Sequence, residues 1–130
     1  MVNARILVVD DEPDVVGFVQ RILESEGFEV IAAYDGISAL DLAENERPDL
    51  VLLDIMMPMM SGYEVCQQLK ANPQTKTIPV VCLSSAHGPD AFTKSQAAGA
   101  ATLVLKPFTP AELIAQIQRY LGSQQGSDAG

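Results

Sequence analysis

No stretch of this chain approaches the roughly 20 consecutive apolar residues that a membrane-spanning helix requires, although 48% of its 130 residues are hydrophobic. A secretory leader is also missing, because MVNARILVVDDE turns acidic before a long apolar stretch can form. Nothing resembles a basic amphipathic anchor. The expectation is a soluble cytoplasmic protein with no membrane partner. Basic side chains are scarce, 8 against 17 acidic ones, for a net charge of −9. Nucleic-acid phosphates are gripped by clustered positive charge, so no direct nucleic-acid binding by this domain is expected. Cysteine is limited to Cys66 and Cys82, which lie in apolar stretches without ligand-like spacing and read as reduced core thiols. His87 is the single histidine; with no companion ligand it reads as a loop residue rather than a relay histidine. Glycine-rich phosphate loops are absent too. Acids follow the first apolar run where a P-loop would end in Gly-Lys-Ser or Gly-Lys-Thr, and no GxGxxG occurs.

What the chain does have is alternation. Short apolar runs of strand length, RILVVD (5–10), FEVIAA (28–33), DLVLLD (49–54), IPVVCLS (78–84) and ATLVLK (101–106), are separated by segments with helical spacing. Val15, Phe18, Val19, Ile22 and Leu23 mark the first helix, which Gly27 stops. Ala39, Leu40 and Ala43 mark a weaker second helix, ending before Pro48. Val65, Cys66 and Leu69 mark a third, and an alanine-rich fourth ends at Gly99. Leu113, Ile117, Tyr120 and Leu121 line the last. Five strand-then-helix repeats predict one α/β domain over 1–122, with a five-stranded parallel sheet and helices on both faces. The remainder, 123–130, is rich in Gly, Ser and Gln and reads as a disordered tail or linker remnant. Pattern alone leaves the strand order open.

Open α/β sheets bind ligands outside the carboxyl ends of their strands. The first strand here closes with Asp10 and Asp11, the third with Asp54, the fourth with Ser84, and the fifth with Lys106 followed by Pro107. Each residue alone has an ordinary reading as a cap, a turn residue or a solvated side chain. Together, four strands deliver three carboxylates, a hydroxyl and an ammonium to one edge. Converging carboxylates repel one another and raise each other's pKa. A hard divalent cation relieves this, and Mg²⁺ favours one or two carboxylates plus waters and phosphate oxygens. A carboxylate can act as a nucleophile and form an aspartyl phosphate. Phosphoryl transfer then rests on positioning and charge neutralisation, which a metal, Lys106 and Ser84 could supply together.

Four segments carry a resemblance: VVDDEPD (8–14), LLDIMMPMMSGYE (52–64), PVVCLSS (79–85) and LKPFTPAEL (105–113). In this order and spacing the chain resembles the receiver domain of two-component response regulators over residues 5–121. The resemblance implies a flavodoxin-like, doubly wound (βα)5 fold with strand order 2-1-3-4-5. Asp54 would accept a phosphoryl group from a histidine kinase or a histidine phosphotransfer protein. Asp11 would bind Mg²⁺ directly (Mn²⁺ being the alternative ion), Asp10 through a water, and Asp54 and the Met56 backbone carbonyl would complete the protein ligands. Lys106 would contact the phosphoryl group, and the Lys106–Pro107 peptide would be cis. Ser84 would move toward the phosphate and switch the face around the fourth helix and fifth strand, for a downstream protein or a second copy of the chain. Such a domain is no enzyme beyond its own phosphorylation and dephosphorylation.

The chain also departs from that family pattern. Leu103 stands where a switching Tyr or Phe is frequent, so coupled movement of Ser84 with a ring is not expected. Met56 and Ala86, two residues beyond Asp54 and Ser84, cannot orient an attacking water, which predicts slow self-dephosphorylation. An acid at Met56 would be wanted by an aspartate-nucleophile phosphatase, and none is there. Met59 and Met60 of MMPMM are left without a role by the resemblance; methionines adapt to varied contacts and suit a partner surface.

Overall fold

The computed structural model describes residues 3–85 and 89–129, with side chains to Leu121 except that of Pro89. Its strands are β1 (Arg5–Val9), β2 (Glu29–Ala33), β3 (Leu50–Asp54), β4 (Val80–Ser84) and β5 (Thr102–Leu105). They alternate with helices α1 (Pro13–Ser25), α2 (Gly36–Glu46), α3 (Gly62–Ala71), α4 (Pro89–Ala98) and α5 (Pro110–Ala129). All pairings are parallel and the order is β2-β1-β3-β4-β5. The chain therefore winds one way from β1 to β2 and the other way from β3 onward, the flavodoxin-like arrangement.

Strand side chains alternate between two cores. Leu7, Val9, Val51, Leu53, Val80 and Cys82 pack against α2, α3 and α4. Ile6, Val8, Leu50, Leu52, Val81 and Leu83 pack on the other face, with Val16, Val19, Ile22 and Leu23 of α1 and Leu113, Ile117 and Leu121 of α5. β3 and β4 are buried along their whole length. Both cysteines are free and buried, and the Cys66 thiol donates to the Ala98 carbonyl at 3.4 Å.

One detail differs from the sequence expectation. Phe18 does not face the core: the buried stripe of α1 runs through Val16, Val19, Ile22 and Leu23, leaving Phe18 exposed. β2 is an edge strand with only Ala33 fully buried. Helix α5 continues to Ala129, and Leu121 is the last residue described in the core.

Candidate functional site

The site forms where β1 and β3, adjacent in the sheet, end side by side. Asp10 and Asp54 are almost wholly buried, at 1% and 5% exposure. The Asp10 backbone N–H donates to the Ala33 carbonyl at 3.2 Å. One carboxylate oxygen of Asp10 accepts the Glu12 N–H at 3.0 Å, which turns the chain into α1. At β3, the loop 55–61 folds back tightly on the strand end, with the Gly62 N–H donating to the Ile55 carbonyl at 2.9 Å. A side chain at Gly62 would overlap the Asp54 carbonyl oxygen and come within 2.7 Å of the Ile55 Cα, so any other residue here forces the backbone to shift. A capping box then starts α3: the Ser61 hydroxyl accepts the Glu64 N–H, and the Glu64 carboxylate accepts the Ser61 N–H. Gly62 thus shapes the site, a role that its Ser-Gly turn context did not reveal.

Carboxylate oxygens of Asp10, Asp11 and Asp54 all lie within 4.8 Å of one another. Lys106 reaches in from the end of β5, with Nζ 3.1 Å from Asp54 Oδ1 and 3.3 Å from Asp10 Oδ2. The Lys106–Pro107 peptide is cis. Ser84 is buried at the end of β4; its carbonyl accepts the Lys106 N–H at 2.7 Å, joining the ends of β4 and β5. Leu103 pairs in register with Cys82 and packs, partly buried, against the α2–α4 core. Met56 turns its side chain to solvent. Ala86 and His87 lie outside the described residues.

The electrostatics follow from this crowding. Burial, then the charge of Asp10, pushes the Asp54 carboxyl above the ordinary aspartate range; the Lys106 hydrogen bond and charge pull it down, and Asp11 adds a smaller upward push. Burial works to lower Lys106, but its hydrogen bond and charge interactions with Asp54, and those with Asp10, hold it above its usual value. Among the described residues, Lys106 is the one ammonium paired with this cluster, and it pairs with Asp10 and Asp54 only. Hard, crowded and under-compensated oxygen donors fit a hard divalent cation.

The residues of this edge belong to a signalling module. The family model for the response regulator receiver domain matches residues 6–118, and the chain is a member of that family. It is 40% identical over 119 residues to the alkaline phosphatase synthesis transcriptional regulatory protein PhoP of Bacillus subtilis, an overlap of 92% of this chain and 49% of PhoP. The chain therefore spans about half the length of that relative. Among solved structures, the Vibrio cholerae chemotaxis protein CheY4 superposes with a TM-score of 0.86 at 33% identity, covering 91% of this chain and 98% of that one. The receiver domain of the Pseudomonas aeruginosa sensor histidine kinase PA1611 superposes with a TM-score of 0.86 at 30% identity, covering 93% and 99%. That domain carries a magnesium ion coordinated in its active-site cleft.

Proposed function

We propose that this chain is a phosphorylation-controlled regulator whose Asp54 accepts a phosphoryl group in a Mg²⁺-dependent reaction. The observation that carries the proposal is the convergence of the Asp10, Asp11 and Asp54 carboxylates within 4.8 Å, with Lys106 bridging Asp10 and Asp54. Asp10, Asp11, Asp54 and the Met56 carbonyl would hold the cation, with Mn²⁺ as the alternative ion. When bound, it would neutralise the charge of the incoming phosphoryl oxygens.

The donor is the phosphohistidine of a histidine kinase or a phosphotransfer protein. An Asp54 carboxylate oxygen attacks phosphorus; the P–N bond breaks, and its electron pair stays with the imidazole as the acyl phosphate forms. Lys106 holds the Asp54 carboxylate in place and then offers its ammonium to the phosphoryl oxygens. Ser84 supplies a hydroxyl from the β4 end. Its movement biases the face formed by α4 and β5, where a downstream protein or a second copy binds. Leu103 takes part as a packing residue. The chemistry is confined to the domain's own phosphorylation and dephosphorylation. We assign the receiver unit to residues 1–122 and read 123–130 as a linker or tail. The domain acts in the cytoplasm without contacting nucleic acid; among the described residues no helix is long and apolar enough to cross a membrane.

Incubation with acetyl phosphate and Mg²⁺, followed by intact-mass and peptide mapping, tests the assignment. One phosphoryl group on Asp54, absent in Asp54→Asn and absent with a chelator, is the expected result. Labelling elsewhere, or without metal, would overturn it.

A further inference from the structure

The loops beside the acid site enclose a second feature, a mainly apolar groove of about 360 Å³ between 34–37 and 57–60. Tyr34, Ile37, Met57, Pro58, Met59 and Met60 supply its apolar lining. Its walls are tied into the fold. Met57 and Met60 pack inward on the α2–α4 core, and the Met60 N–H donates to the Pro58 carbonyl at 2.8 Å. Asp35 caps α2 by accepting the Ser38 N–H at 2.7 Å. A side chain at Gly36 would come within 2.8 Å of the Met60 sulfur, so α2 starts hard against the methionine loop. Met59, by contrast, adopts a left-handed backbone (φ 70°), a conformation that costs a non-glycine residue roughly 1 kcal/mol or more, and its side chain is fully exposed. Tyr34 and Ile37 are exposed as well. Nothing in the acid site requires these three side chains.

We infer that this groove, with Tyr34, Ile37 and Met59 at its mouth, seats an apolar anchor side chain of the phosphohistidine-bearing donor protein. The inference rests on the proposed phosphoryl transfer. Asp54 is buried at the strand edge, so a donor histidine can reach it only if the donor's surface lies across the loops around that edge. The methionine loop follows Asp54 directly, and the groove's 57–60 wall is part of it. A donor over Asp54 therefore covers the groove mouth in the same encounter. Packed walls, an apolar lining and adaptable methionines suit a buried hydrophobic anchor, the kind of contact that dominates binding energy in protein interfaces. A small donor such as acetyl phosphate needs no such contact, which separates docking from chemistry.

The test compares two donors on the unaltered chain, Ile37→Asp and Met59→Asp. One is acetyl phosphate; the other is the purified histidine kinase of the source organism that labels the unaltered chain fastest. Both substitutions lie on exposed positions, and far-ultraviolet circular dichroism checks the fold. Expected are unchanged labelling by acetyl phosphate and a loss of about tenfold or more in kcat/KM for transfer from the kinase, carried by KM. Ile37→Leu should restore transfer. Kinase transfer unaffected by either substitution would overturn the docking inference and leave the phosphorylation reading intact. So would equal losses with both donors, which would mean the loop acts on the chemistry, or a loss seen only in binding of a downstream protein. A chain labelled by acetyl phosphate but by no kinase also overturns the inference. No labelling by acetyl phosphate would instead overturn the phosphorylation reading beneath it.

Discussion

Burial and the charge of Asp10 both raise the energy of the Asp54 carboxylate, and Lys106 offsets them only in part. A folded-state pKa above the unfolded value means that the native protein holds its proton longer. Stability from this group is therefore fully present below about pH 3.8, the ordinary aspartate value, and falls as pH rises through the folded pKa. Asp54→Asn removes that dependence. In chelator, its melting temperature should exceed that of the unaltered chain at pH 7, with the difference closing on acidification; a difference independent of pH would show that charge is not the cause. Lys106→Met should do the opposite, costing about 1–3 kcal/mol at neutral pH by leaving two buried carboxylates uncompensated. Urea titration at pH 7 checks the sign. Met56 turns to solvent two residues beyond Asp54, the proposed phosphoryl acceptor, and its thioether offers an attacking water no acid or amide to orient it. Met56→Glu should therefore shorten the lifetime of the phosphorylated form severalfold, as followed by loss of the phosphoryl mass after donor removal.

At the scale of elements, the loop from Asp54 into α3 converts strand geometry into site geometry. Gly62 lets the helix start press on the strand end, and the Ser61–Glu64 capping box anchors it there. Ser61→Ala should cost about 1 kcal/mol, the usual worth of such a cap. Gly62→Ala should cost more, because the new methyl meets backbone rather than a yielding side chain. Equal costs in urea titration would mean that the close approach relaxes freely. The strands themselves were legible, since β3 and β4 are continuous apolar runs ending in one polar residue each. Phe18 was not, because Val15, Val16, Phe18 and Val19 allow two neighbouring stripes on α1 and only packing selects between them. The close approach at Gly62 was equally hidden, since a Ser-Gly pair marks a turn without saying what the turn touches. Lys106 was visible as a strand-end cation, but its bridge to both Asp10 and Asp54 depends on which strands are neighbours.

For the whole molecule, periodicity alone gave five strand–helix units and left the strand order undetermined, because each buried strand could pair with any other. Order came from the family resemblance, and the sheet has it. That order makes β1 and β3 neighbours, which gathers acids separated by more than forty residues in the chain. The proposed metal binding at this gathered charge would be linked to global stability. A ligand that binds only the folded state adds RT ln(1 + [L]/Kd), about 1.4 kcal/mol at ten times Kd, or about 5 °C in melting temperature for a domain of this size. Titrating Mg²⁺ should raise the melting temperature along this logarithmic course. Asp11→Ala should flatten the response while leaving most of the metal-free stability, since Asp11 makes no ion pair among the described residues. A response that survives Asp11→Ala would move the cation away from the β1 end, and with it the metal part of the proposed reaction.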